Sequence, residues 1–484
     1  MSVETTKILI VVFDALRPEF VTPDLMPNLS AFADRGVRFE NCRSTFPTET
    51  RVNQTAVLTG CYPRKHGIVG NKFPDAGIRP DRVIDTGVNA QIEEAFAKAP
   101  GGLITMPTLG ERLAAAGRRF ACLSAGTPGG GRLINHTAEH FDSFRLAMRC
   151  PEATVPVSAL AGIIERIGPM PTYELPAIDW VTWAVDAYLD YILPEVAPDV
   201  MLLWLCEPDE SFHYKGIGSD ESLATIRHVD AGFGRILETQ QTAIGAGNLQ
   251  IIAMSDHGQI SLEGEPLDLP ALLNEAGFAS ATAPGKDVDY TVVVGNAGGI
   301  WARDHNDSLV EALVPWLMLQ PWCGPIFTRS GTSGTLMISE ICADHPRAPD
   351  IYLMMRSTDR TSAWGIEGTT SHDAPYPVGG GCHGGLSAYE LNNVLVLGGS
   401  RFKTHEAIAS PAGNIDIAPT VLHLLNMDEP KGIDGRVLQE ALIGELERTT
   451  VAEKRQTINA LNGQTLLSVT DLGTQRYLNR AWVK

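Results

Sequence analysis

Residues 8–14 read ILIVVFD, six apolar side chains followed by one aspartate. A short apolar run of this kind reads as a strand buried on both faces, here delivering a carboxylate to the edge of a sheet. Similar runs recur at 120–124, 200–205, 250–254, 351–355 and 394–397, and helical patterns separate several of them. The alternation predicts an α/β fold with a mostly parallel central sheet and helices on both faces. In such a sheet the strand ends meet at one crevice, so side chains remote in sequence can converge there. After Ser219, Leu223, Ile226, Val229, Phe233, Ile236 and Leu237 repeat at helical spacing, with Asp220 and Glu221 at the positive end of that helix.

Two long intervals, 135–189 and 262–347, interrupt the alternation. Both are rich in Pro, Gly and Ala and neither contains a repeat. The organisation expected is one catalytic domain over residues 1–440, with these intervals inserted as caps over the crevice, and a C-terminal extension over 441–484. The extension mixes helix formers with a polar ending, which leaves packing arm, dimer contact and frayed terminus open.

The chain has 484 residues and is 44% apolar, enough for one large core or two modest ones. Its net charge of -19 weighs against a nucleic-acid polymer or an anionic membrane as partner, while allowing a local positive site for a small anionic substrate. The first strand begins too soon after Met1 for a signal peptide, and no apolar stretch approaches the roughly 18 residues that cross a bilayer. A cytoplasmic protein is expected. Eight cysteines occur without a CxxC pair, so reduced, buried thiols are expected rather than a disulfide framework or a thiolate zinc site. Monomer and homo-oligomer both stay open.

Seven residues are of the types that bind two divalent ions: Asp14, Thr50, Asp209, His213, Asp256, His257 and His383. Asp14 ends the first strand; a capping aspartate is the plain alternative. Asp256 and His257 end the run IIAMSDHG and offer a hard oxygen beside an imidazole nitrogen, both suited to zinc, and Gly258 lets the chain turn away. Asp209 and His213 lie four apart in EPDESFHYKG, which places both on one helical face, although a salt-bridged Asp and an exposed His would read the same. His383 sits among glycines in GGGCHGG, with His372 in TTSHDAP as a rival; His383 is preferred. The other histidines, among them His66, His228 and His423, read as structural or surface residues, with His66 open to a supporting role. In STFPTETRVNQTAVLTG a Pro- and Thr-rich turn enters an apolar helical pattern, so Thr50 falls at a helix N-terminus, better placed than Thr45, Thr48 or Thr55. A threonine hydroxyl needs activation, and a dication is one way to supply it. An ordinary N-cap threonine is the alternative.

These residues resemble the alkaline phosphatase superfamily, most closely its nucleotide pyrophosphatase/phosphodiesterase branch. The resemblance rests on Asp14, Thr50, Asn53, Thr59-Gly60, Tyr62-Pro63, His66-Gly67-Ile68, EPDESFH, SDHG, the glycine-rich loop around His383, and NIDIAPTVLHLL followed by DGRVL. It covers about residues 7–440 and implies an alkaline-phosphatase-like core. It further implies that Asp209, His213 and His383 bind one ion and Asp14, Thr50, Asp256 and His257 the other. Zinc is the first choice, and manganese or iron suit the same nitrogen and oxygen donors. Thr50 would be the nucleophile, forming a phospho-threonine intermediate, and Asn53 would hold a phosphoryl oxygen. Arg51, Asn71 and Lys72 are the candidate substrate-binding residues. Where this branch usually carries an aromatic side chain after the nucleophile, the chain has Arg51, which favours a second phosphate, a carboxylate or a sulfate over a nucleobase.

The function expected is metal-dependent hydrolysis of phosphate diesters or related phosphonate esters. The alternative is a carbon-phosphorus hydrolase similar to phosphonoacetate hydrolase, kept open by Arg51, Lys65 and Lys72. Behind it stand a phosphate monoesterase, a phosphoglycerate mutase, and a non-catalytic protein that binds metal or phosphate.

Overall fold

The computed structural model describes residues 6–99, 101–444 and 451–484. Its frame is an eight-stranded sheet of β1 (Lys7–Phe13), β2 (Val37–Phe39), β3 (Phe120–Ser124), β4 (Phe144–Ala147), β5 (Val200–Leu205), β6 (Leu249–Met254), β7 (Leu395–Gly398) and β8 (Glu406–Ile408), in spatial order β8-β2-β7-β6-β1-β5-β3-β4. The pairs β6-β1, β1-β5, β5-β3, β3-β4 and β2-β8 are parallel, and β7 runs antiparallel to both its neighbours.

The central strands β1, β5 and β6 are almost wholly apolar and buried because helices cover both faces. Leu9, Val11 and Phe13 point into one core with Leu203, Leu205 and the helix α3 (Asp220–Thr239), which buries Ile226, Val229, Phe233 and Ile236. Ile8, Ile10 and Val12 point into the other with Leu202, Trp204 and the helix Ile417–Leu424. Each fully buried side chain of this size stabilises the fold by about 1.5–3 kcal/mol. The register pairs Phe13 with Leu205 and Val12 with Met254, so β1, β5 and β6 end level. That alignment brings the residues after them to one edge.

The interval 135–189 corrects the expectation of a cap. Phe144–Ala147 extends the central sheet as β4, and the helix Ile178–Asp186 packs Trp180, Val181, Trp183 and Val185 into the first core. Its Pro and Gly content marks the turns between elements that are themselves buried. The strand Ile351–Met355 also lies elsewhere than expected, in a second, six-stranded sheet with Tyr290–Val294, Ala297–Ala302 and Cys323–Thr328, which come from the interval 262–347. Helices Leu269–Glu275 and Asp307–Met318 cover one face of this sheet. Its other face presents Tyr352 and Phe327 to Phe46 and Val52, on the chain around Thr50. A buried apolar run reads alike in either sheet, and only its non-local partner decides.

The described part of the C-terminal extension is three antiparallel strands, Val451–Ala460, Gly463–Leu472 and Gln475–Val483. Leu467, Val469, Leu478 and Ala481 join the core that holds Phe46, and the Tyr477 hydroxyl donates to Asp416 Oδ2 at 2.9 Å. The eight cysteines are all free and buried. Among the described residues no helix is long and apolar enough to cross a membrane.

Candidate active site

Asp14 leaves the end of β1, and its Oδ2 accepts from Trp204 Nε1 of the neighbouring β5 at 2.9 Å. Asp256, two residues past β6, accepts from the Ala15 amide at 3.2 Å through Oδ1. The other oxygens of the two carboxylates, Asp14 Oδ1 and Asp256 Oδ2, are buried with no hydrogen-bond partner among the described residues. They lie 3.6 and 3.2 Å from His257 Nε2, and the Thr50 hydroxyl lies 3.1 Å from the same nitrogen. Four residues predicted to share an ion are thus gathered around one point.

Thr50 opens the helix α1 (Thr50–Thr59), in which every residue except Arg51 is buried. The helix ends at Gly60, whose left-handed φ of 71° suits glycine. Asp209 opens a short helix α2 (Asp209–Lys215), with His213 one turn on, and the Asp209 amide donates to the Asp14 carbonyl at 3.1 Å. Asp209 Oδ1 faces His213 Nε2 at 3.4 Å and His383 Nε2 at 3.6 Å, and it also accepts from Gln259 Nε2. The His257 and His383 rings stack with centroids 4.0 Å apart, which joins the two groups.

The three histidines share one arrangement. His213 Nδ1 meets the Gly381 carbonyl at 2.8 Å, His257 Nδ1 the Gly258 carbonyl at 3.0 Å, and His383 Nδ1 the Thr48 carbonyl at 2.9 Å. A carbonyl only accepts, so each Nδ1 carries a proton and each Nε2 is turned toward the carboxylates. This is how ligating histidines are oriented. The loop after β6 depends on Gly258, because a Cβ there would lie 2.1 Å from the Tyr389 carbonyl oxygen.

The electrostatics call for cations. Burial, with Asp256 and Asp209 nearby, pushes the Asp14 carboxyl well above the usual range, and burial likewise raises Asp256. Burial also acts to raise Asp209, but His213, His383 and His257 hold it below the ordinary value. Burial and the neighbouring His257 push His383 well down, which keeps it neutral. Desolvated carboxylates with unpartnered oxygens, imidazole nitrogens and a hydroxyl fit hard or borderline dications. Asp14, Asp256 and His257 offer ligand atoms within 4.8 Å of one another, as do Asp209, His257 and His383.

One expectation, for Asn53, is corrected. Asn53 is fully buried and its amide nitrogen points to the carbonyls of Thr45, Pro47 and Glu49 at 3.1–3.3 Å, while Oδ1 accepts from Thr45 and Asn414. It braces the turn before Thr50 and has no hydrogen left for a phosphoryl oxygen. Asn71 is differently placed. Its Oδ1 accepts from the Arg51 amide at 3.2 Å and its backbone N–H donates to Glu49, which leaves its side-chain nitrogen as a donor without a partner among the described residues, beside the start of α1. Lys72 is exposed and pairs with Asp85 at 3.0 Å, and Lys65 pairs with Asp434 at 2.8 Å. His372 lies apart, with its nitrogens 3.2 and 3.1 Å from the Ala374 and Gly264 carbonyls. His66 is buried, with Nδ1 accepting from the Ile68 amide at 3.2 Å. Thr48, Gln259 and Gly381, which orient the ligand-type residues, were not foreseen. Gln259 sits two residues after His257 in the same turn, whereas the carbonyl contacts of Thr48 and Gly381 left no sign in residue type.

Comparison with known proteins gives a family. The model described as "Type I phosphodiesterase / nucleotide pyrophosphatase" matches residues 8–356. Venom phosphodiesterase 2 of Crotalus adamanteus is 23% identical over 249 residues, which is 51% of this chain and 26% of that protein. Human ectonucleotide pyrophosphatase/phosphodiesterase family member 1 is 25% identical over 260 residues, 53% of this chain and 24% of that protein. Bis(5'-adenosyl)-triphosphatase enpp4 of Xenopus laevis is 39% identical over 72 residues, 15% of this chain and 16% of that protein. The matched stretch spans about a quarter of the length of the venom and human relatives.

Proposed function

The chain belongs to the type I phosphodiesterase/nucleotide pyrophosphatase family, and from that premise we propose that it hydrolyses phosphate diesters or related phosphonate esters through a phosphorylated Thr50. The observation that carries this reading is the Thr50 hydroxyl, 3.1 Å from His257 Nε2, the same nitrogen that Asp14 Oδ1 and Asp256 Oδ2 approach at 3.6 and 3.2 Å. Asp14, Thr50, Asp256 and His257 would hold one divalent ion, and Asp209, His213 and His383 a second; zinc suits both donor sets. When bound, the ions supply the positive charge that makes a hydroxyl acidic and steadies a leaving oxygen.

The chain's own groups do the rest. The buried helix α1 holds Thr50 Oγ1 in place to attack phosphorus, so that the Thr50 oxygen-phosphorus bond forms as the bond to the leaving group breaks. Water then attacks the phosphorylated Thr50 and restores the hydroxyl. The side-chain nitrogen of Asn71 is the donor offered to a phosphoryl oxygen in both steps. Arg51 and Lys72 are the remaining substrate-binding candidates, and Lys72 would first have to leave Asp85.

The test is turnover of bis-p-nitrophenyl phosphate, p-nitrophenyl phosphate, a phenylphosphonate ester and phosphonoacetate by the protein loaded with two zinc equivalents. Preference for the diester or phosphonate ester supports the proposal. Phosphate released from phosphonoacetate alone moves the assignment to carbon-phosphorus cleavage. No turnover of any of the four at full metal content defeats both. The ligand choice is checked separately: His383→Ala should lose one equivalent of zinc by mass spectrometry and His372→Ala none.

A further inference from the structure

Beside the nucleophile lies a group of polar atoms that the steps above do not use. Arg51 Nε, Gln54 Oε1 and Ser124 Oγ are all buried and have no hydrogen-bond partner among the described residues. Gln54 stands one helical turn after Thr50 on α1, and Ser124 ends β3 on the same sheet edge as Asp14. Glycines bring Arg51, Gln54 and Thr127 together, and Ser124 adjoins them beside Gly131, where an added Cβ would lie 3.8 Å from Ser124 Cβ. A Cβ at Gly130 would lie 2.9 Å from Thr127 Oγ1, 3.3 Å from Gln54 Oε1 and 3.6 Å from Arg51 Cδ. One at Gly87 would lie 3.8 Å from both Arg51 Nη2 and Thr127 Cβ and 3.0 Å from Asp85 Oδ1, a carboxylate already engaged by the Gly87 amide and by Lys72. Two bare backbone positions therefore line a cradle that side chains would fill.

Arg51 forms no ion pair among the described residues. Glu49 beside it accepts from the Asn71 amide instead. The Arg51 charge is felt at Glu49, His383 and Tyr376, within electrostatic reach of the ligand-type cluster. A buried guanidinium edge without a partner costs stability unless something supplies an anion. Gln54 makes no side-chain hydrogen bond, so its amide can present either end; its nitrogen and oxygen are near-equal in shape.

We propose that the Arg51, Gln54, Ser124 and Thr127 cradle receives a second oxyanion of the substrate, a carboxylate or a second phosphoryl group on the part of the ester not transferred to Thr50. This rests on the hydrolase reading and names its substrate class: phosphorus esters bearing another anion, in place of an uncharged or purely aromatic substituent. Guanidinium recognises either oxyanion in its plane, and the neutral hydroxyls and amide complete the shell.

The test measures equilibrium binding of methylphosphonate, phosphonoacetate and methylenediphosphonate to the zinc-loaded protein, with zinc content measured afterwards. Phosphonoacetate, methylenediphosphonate or both should bind at least tenfold more tightly than methylphosphonate, and which one does identifies the anion. Arg51→Ala should bring that ratio to within threefold, and Gln54→Ala should lower it partway. Equal affinities in the unaltered protein, an unchanged ratio in Arg51→Ala, or no binding of any probe overturns the proposal. A ratio that holds in a protein unable to cleave any ester refutes the hydrolase reading and leaves the oxyanion cradle standing.

Discussion

Thr50→Ala is expected to lower turnover of the preferred ester by about 10³-fold or more, the scale on which loss of a covalent nucleophile acts. Zinc content should stay near two equivalents, because Asp14, Asp256 and His257 keep one group of donors and Asp209, His213 and His383 the other. The fold should tolerate the change: Thr50 is the first residue of α1, and its side-chain contact is His257. Thr50→Ser retains a hydroxyl and should restore a large part of the activity, which a packing role alone would not explain. Turnover by Thr50→Ala within tenfold of the unaltered protein would remove Thr50 from the mechanism.

Stripping the metal should abolish turnover and lower the melting temperature, and the temperature gap between loaded and stripped protein should widen as pH rises. The sign follows from the carboxylates. Asp14 and Asp256 have folded-state pKa values above their unfolded ones, because of burial and, for Asp14, the neighbouring acids. In the stripped protein they favour folding at pH below the unfolded values, and that contribution is lost as pH rises through the folded ones. His213, raised by Asp209 against the effect of burial, behaves in the same direction. Bound ions replace those protons, so their effect grows as the protons become scarce. A ligand at about 1,000 times its dissociation constant adds about 4 kcal/mol of stability. A gap that narrowed between pH 6 and pH 9 would contradict the assignment of these acids to an ion.

Much of the site was readable before any geometry. Asp14, Asp256 and His257 follow apolar runs whose parallel pairing fixes where their ends lie, and Asp209 and His213 need only one helical turn to share a face. His383 was separable from His372 only through its glycine surroundings. Asn53 misled because three residues beyond Thr50 is also the same helical face. Its amide was claimed by the turn that folds back over it, a contact no spacing encodes. The Asn71 orientation depends on a hydrogen bond to Arg51 across 20 residues. The interval 135–189 misled by composition, since its turn residues outweighed a helix carrying two buried tryptophans. Strand 351–355 was right as a strand and wrong in its sheet, because pairing is decided by partners far away in sequence.

The Thr48 carbonyl that orients His383 lies two residues before Thr50, on the turn that Asn53 braces. The proposed nucleophile Thr50 and the proposed ligand His383 are consequently set by one piece of backbone. If that turn shifts, the hydroxyl and the imidazole lose alignment together, so a half-assembled centre, with its attacking group poised and a ligand astray, is disfavoured. Correct assembly acts as an interlock, confining reactivity to the state in which both are seated.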